Sequence, residues 1–159
     1  MNLPEPWRNL ATVAVGGLTE VGLTDDERWV LVVSSGGRGL FDAHTGLRVA
    51  RDAATPTLES PWLDEKTRTA QGIGPADGMA VHVVGLWGGA LPERTADGWW
   101  VIAPEGGRDD TIWLMSSGGE RWALDRPLTE VRAVGFAPSG ELLVVATASD
   151  LALFTRHSR

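Results

Sequence analysis

The sequence predicts an all-β fold made of repeated four-stranded antiparallel units, and three observations carry that expectation. Helical periodicity is nearly absent across the 159 residues. Short runs rich in Val, Leu and Trp instead alternate with clusters of Gly, Pro, Ser and Asp, the pattern of strands separated by turns. Finally, residues 22–43 align without gaps onto residues 135–156 at a constant offset of 113, and self-similarity of whole hairpins marks a repeat architecture. With 43% apolar and 22% charged residues, the chain is long and apolar enough for one globular domain with a substantial core.

Taken in order, the first apolar run is 11–16, which stands apart from the repeat. Runs at 20–23, 29–34, 38–42 and 47–51 follow, joined by "TDDE", "SSGGR" and "HTG"; together they form a first unit at 20–51. The last of these turns belongs to "LFDAHTG", residues 40–46. Here the Asp42 carboxylate is placed to accept backbone N–H groups, Gly46 to supply a positive φ, and His44 to point to solvent. Residues 52–78 are rich in Pro, Gly and Thr and read as a long loop with one anchoring cluster at Pro61-Trp62-Leu63. A second unit spans 79–124, with runs at 79–87, 98–103, 111–115 and 120–124. A third starts at 131, with runs at 131–136, 142–147 and 150–155. It has three strands, and the run at 11–16 is available as its fourth.

The residues of the third unit, "VGFAPSGELLVVATASDLALFTR", resemble a blade of the WD-repeat β-propellers, in which a "FSPDG"-like turn leads into an apolar strand. "GLFDAHTGLRVAR" is similar to the end of such a blade. "TIWLMSSGGERWAL" resembles the Asp-box hairpin of other propellers: Gly119 and Trp122 match, whereas Met115 stands at the Ser position and Ser117 at the Asp position. The resemblance implies propeller-like blades, three per chain. Since three blades splay too far to surround an axis, it further implies a homodimer that closes a six-bladed ring, with strand 11–16 exchanged between protomers. A β-sandwich or a partly open barrel is the alternative arrangement of the same strands.

Composition narrows function. The formal net charge is −7 and both halves of the chain are acidic, so binding to nucleic acid would work against phosphate repulsion. The absence of cysteine removes disulfides, thiolate metal sites and thiol nucleophiles together. No apolar run is long enough to span a bilayer, and "MNLPEPWRNLATVAVGG" makes a poor signal peptide; a cytoplasmic location is expected. Thirteen arginines stand against a single lysine, Lys66, the bias of a GC-rich bacterial genome. His44, His82 and His157 lack metal-ligand spacing. The glycine pairs 36–37 and 106–107 lack the Lys-Ser/Thr and helix of a phosphate loop. No cofactor is expected.

These features point to a non-enzymatic protein-binding module, of the kind of a bacterial inhibitor or immunity protein that blocks a basic, toxin-like partner. The expected contact residues lie on two long loops. In 52–78, Trp62 is flanked by Asp64 and Glu65 as an aromatic anchor with an acidic rim. In 103–110 they are Glu105, Arg108, Asp109 and Asp110. Two other readings remain open: a structural homo-oligomeric scaffold, and a carbohydrate-acting hydrolase or lyase using Glu105, Asp109 and Asp110.

Overall fold

Among the described residues every strand pairing is antiparallel, and the strands form four sheets. The computed structural model describes residues 2–104 and 110–156, and among these the only helical element is a single 3-10 turn at Gly74–Ala76. The two largest sheets are the two copies of the sequence repeat. In the first copy, β2 (Leu18–Leu23), β3 (Trp29–Ser34), β4 (Gly37–Asp42) and β5 (Arg48–Asp52) lie side by side in that order. In the second, β13 (Val131–Phe136), β14 (Leu142–Thr147) and β15 (Asp150–Arg156) do the same, and the fourth place is taken by β1 (Trp7–Ala14).

The offset of 113 holds to the level of single hydrogen bonds. Thr24 N–H donates to the Trp29 carbonyl at 3.0 Å, and Ala137 N–H donates to that of Leu142 at 2.9 Å. The register slips between Leu18 and Glu20 in β2 and between Val131 and Ala133 in β13, the same bulge at the same place. β1 imitates β5 in kind: β5 slips opposite Leu40 and Phe41, and β1 slips opposite the equivalent Leu153 and Phe154. The strand that the sequence leaves over therefore completes the last sheet within one chain, and it starts four residues earlier than the expected 11–16.

Packing explains why the two central strands are apolar without alternation. Along β3, Val30 and Val32 face the β13–β14–β15–β1 sheet, while Leu31 and Val33 face the opposite way. Along β14, Leu142, Val144 and Ala146 face the first copy, while Leu143 and Val145 face away from it. Both faces of both sheets are thus buried, and neither can carry a polar face. The face of β14 that meets the first copy is equivalent, through the offset, to the face of β3 that points away from the second. The copies are stacked in the same sense rather than face to face about a two-fold.

Two smaller sheets cover the outer faces. The sheet of β10 (Trp100–Ile102), β11 (Ile112–Met115) and β12 (Arg121–Asp125) lays Val101, Ile112, Leu114 and Leu124 on Phe136, Leu143, Val145 and Phe154. The sheet of β6 (Leu63–Asp64), β7 (Thr69–Gln71) and β8 (Ala80–His82) lays Ala70 and Val81, with Trp62 and Val83, on Leu31, Val33 and Leu40. Two expectations are corrected here. The sequence predicts three units, whereas the structure has four sheets. The expected loop 52–78 contains β6 and β7, strands of two and three residues that are too short and too polar to show a period. The expected strand 79–87 is broken at Val83: β8 pairs with β7, and β9 (Val84–Gly85) pairs with β2.

Trp7 fastens β1. It is 4% exposed and meets Trp99 edge-on at 6.1 Å and Phe136 at 5.6 Å, with the Arg156 guanidinium 5.4 Å from its ring. Trp7→Ala is expected to cost about 3–5 kcal/mol of folding stability, read by urea denaturation. A loss below about 0.5 kcal/mol, the scale of an ordinary surface change, would mean that β1 does not close the sheet.

Candidate functional site

The feature with most chemistry grows from a turn that occurs twice. In "LFDAHTG", Asp42 Oδ1 accepts the backbone N–H groups of His44 (2.7 Å) and Thr45 (3.3 Å), Oδ2 accepts from Arg28 at 3.1 Å, and Gly46 sits at φ 73°. Burial alone would raise the Asp42 pKa, but the two N–H groups and the Arg28 charge outweigh it and hold the carboxyl low. His44 is exposed. The same turn is built twenty-two residues later from "WLDEKTR". Asp64 Oδ1 accepts from Lys66 N–H (2.9 Å) and Thr67 N–H (3.2 Å), which lowers its pKa, and Leu63 faces Ala70 as Phe41 faces Arg48.

At the position of Gly46 the second turn carries Arg68, in the left-handed region at φ 55°. A residue with a Cβ is disfavoured there by about 1–2 kcal/mol. The side chain held at this cost lines a cavity of about 290 Å³ together with Glu20, Leu63, Asp64, Glu65, Val83 and Trp87. Its guanidinium lies under the turn that follows β9, where a Cβ on Gly88 would meet Nη1 at 2.5 Å. Among the described residues, the buried Nη1 has no hydrogen-bond partner.

Across the cavity stands Glu20, on β2 just beyond the bulge and 3% exposed. Its Oε1 accepts the Trp87 N–H at 3.1 Å, and among the described residues Oε2 accepts no hydrogen bond. Burial drives the Glu20 carboxyl above the usual carboxylate range, opposed by the Trp87 N–H and by the charges of Arg68 and Arg132. Trp87 projects at the mouth, 70% exposed, next to Leu86 at 45%. The walls are mostly hydrocarbon, and the charged residues that line them are Glu20, Asp64, Glu65 and Arg68.

The expected contact residues divide. Asp64 and Glu65 line this cavity. Trp62 does not serve as an exposed anchor, a correction with a simple cause: it is 5% exposed, its Nε1 donates to the Ala54 carbonyl at 3.2 Å, and the Arg38 guanidinium stacks 4.4 Å from its ring. It pins the segment to the first sheet. Asp110 is exposed and lies beside Pro127, Leu128 and Thr129 in a different depression. Glu105, Arg108 and Asp109 lie outside the described residues. Glu20, Arg68 and Trp87 escape the sequence reading, although two of them leave a trace. Arg68 occupies the glycine position of a repeated D-x-x-T turn, and Glu20 is the single charge in "LTEVGL". Among the described residues, no group of three His, Asp or Glu side chains is arranged to hold a metal ion.

No protein-family model matches the chain, and comparison with curated proteins gives no significant match.

The raised pKa of Glu20 has a definite sign for stability. The folded protein binds this proton more tightly than the unfolded chain, so stability falls as pH rises from the ordinary carboxylate range through the raised value. Glu20→Gln retains an acceptor for the Trp87 N–H and removes the charge. The variant is expected to have a higher thermal midpoint than wild type at neutral pH, with the difference closing in acid. A difference that does not change with pH would refute the assignment of a buried, ionising Glu20.

Proposed function

We propose that the protein is a non-enzymatic binding module with a propeller-like scaffold, and that it docks a basic partner protein on the surface formed by Leu86, Trp87, Asp64 and Glu65. The scaffold reading is supported by the stacking of equivalent sheets in one sense, which rotates around an axis in propellers, and by β1 in the fourth place of the last sheet. The observation that carries the binding reading is the side chain of Trp87, held in solvent at the mouth of a largely apolar cavity whose rim is acidic. Trp is among the residue types enriched as energetic anchors in protein interfaces. A net charge of −7 adds long-range attraction for a basic partner and accelerates encounter.

Affinity capture from an extract of the encoding organism tests this with wild type, Trp87→Ala and the double variant Asp64→Lys/Glu65→Lys. The expected result is a partner with positive net charge, retained by wild type and released as salt is raised. Loss of the Trp87 anchor should weaken binding by about 2 kcal/mol or more, roughly thirtyfold. The same proteins captured by all three chains, or an acidic partner, would rule the reading out.

A further inference from the structure

We propose that the cavity between Glu20 and Trp87 is a socket for a lysine side chain of the bound partner, with the aliphatic stem on the hydrocarbon walls and the ammonium on the carboxylates. The proposal deepens the docking reading above and rests on it for the source of the side chain.

Size and lining come first. A volume of about 290 Å³ lies at the lower end of the roughly 300–1,000 Å³ of small-molecule sites, which suits one side chain better than a whole ligand. Leu63, Val83 and Trp87 give apolar walls, and the charged lining is three carboxyls, Glu20, Asp64 and Glu65, against one guanidinium. That guanidinium has a structural place. It packs beneath the Gly88–Gly89 turn, where a Cβ on Gly88 would lie 2.5 Å from Arg68 Nη1 and 2.7 Å from Nη2, and its charge offsets part of that of Glu20. Among the described residues Asp64 and Glu65 form no ion pair. The lining therefore keeps an excess of negative charge, which favours a cation over an anion.

Glu20 makes the excess specific. It is 3% exposed and lines the cavity. Its Oε1 accepts the Trp87 N–H at 3.1 Å, whereas Oε2 accepts no hydrogen bond among the described residues. A buried carboxylate with an open acceptor costs stability until a donor reaches it. An ammonium carries three donors on one atom, so it can pair with Oε2 and an acidic neighbour together. A guanidinium is a planar fork that matches both oxygens of one carboxylate, and Glu20 has one left. The four methylenes of a lysine stem cover the hydrocarbon walls. Protons are linked to this binding. Burial raises the Glu20 pKa against the Trp87 N–H, Arg68 and Arg132, and the acids Asp64 and Glu65 stand in the same lining. A bound ammonium favours the ionised carboxyl, so affinity rises as pH is raised through the Glu20 titration.

The test titrates the whole chain with n-butylammonium, which reproduces the lysine side chain, and with propylguanidinium, 1-butanol and butanoate, while the Trp87 indole N–H is followed by NMR. n-Butylammonium is expected to saturate, more tightly than the other three and more tightly at neutral pH than in acid. Glu20→Gln should weaken it about tenfold or more at neutral pH, the scale of a hydrogen bond to a charged group, and should remove the rise above the ordinary carboxylate range. Asp64→Asn, which keeps the Oδ1 acceptor of its turn, should weaken binding and retain that rise. Tighter saturation by propylguanidinium would assign the socket to arginine and overturn the proposal. Tighter saturation by 1-butanol or butanoate would do the same by removing the cation site. Equal affinity in wild type and Glu20→Gln, with the variant folded by its thermal midpoint, would refute the role given to Glu20. No saturation by any probe, with capture through Trp87 intact, would remove the socket and leave the docking reading. Saturation by n-butylammonium without capture of any basic partner would leave the socket and remove the docking reading.

Discussion

The pairing of β1 with β15 is the interaction on which the other parts of the structure depend. It brings residues 7–14 against residues 150–156 and turns a three-stranded sheet into a four-stranded one. Without it, β15 would present a free edge of unpaired N–H and C=O groups, and Trp7 would be missing from the cluster around Phe136 and Phe154. Since both faces of β14 are buried, the loss would expose core on two sides at once. The long-range character of this contact also means that the last sheet is complete only when the two ends of the chain have met.

Stacking follows from that closure. Equivalent faces of the two repeat copies point the same way, so the pair has one open face at each end, and the smaller sheets cover those faces. The covers are thinner than the copies. β6 and β7 together have five residues (two and three), and the turn between them shares a cavity with Glu20 of β2. The cavity between Glu20 and Arg68 is the space left where this short hairpin meets the bulged strand. Local geometry that would count as a packing defect in the central sheets is thus tolerated at the edge of the stack.

The left-handed residues show how such a place is kept. Gly46 and Arg68 hold the same position in two copies of one turn, in the same register and with the same Asp-to-backbone bonds. The turn itself requires only the Asp and the positive φ. Arginine adds nothing to its geometry and burdens its backbone, and its buried Nη1 meets no acceptor among the described residues. Glu20 is the mirror case: a carboxyl that burial holds partly against ionisation, in a strand otherwise selected for packing. Both groups are poor choices for stability alone, which is why they stand out against a core of Val, Leu and Phe.

The all-β class, the strands of the two repeat copies and the Asp42–Gly46 turn are legible in the residues alone. These are legible because strands buried on both faces must be continuously apolar, and because a turn needs particular residues at fixed offsets. The run near residue 11 also stands apart from the repeat. Where that run goes is set by long-range packing, since pairing of β1 with β15 is a choice among edges that no local pattern encodes. The same holds for β6 and β7, whose few residues owe their extended form to the sheet they cover. The acidic flanks of Trp62 suit an exposed anchor, and the hydrocarbon of Leu31 and Leu40 in the cluster it joins holds it in the core instead. Glu20, Arg68 and Trp87 are separated by tens of residues, and nothing short of the folded stack brings a buried acid, a strained arginine and an exposed indole around one cavity.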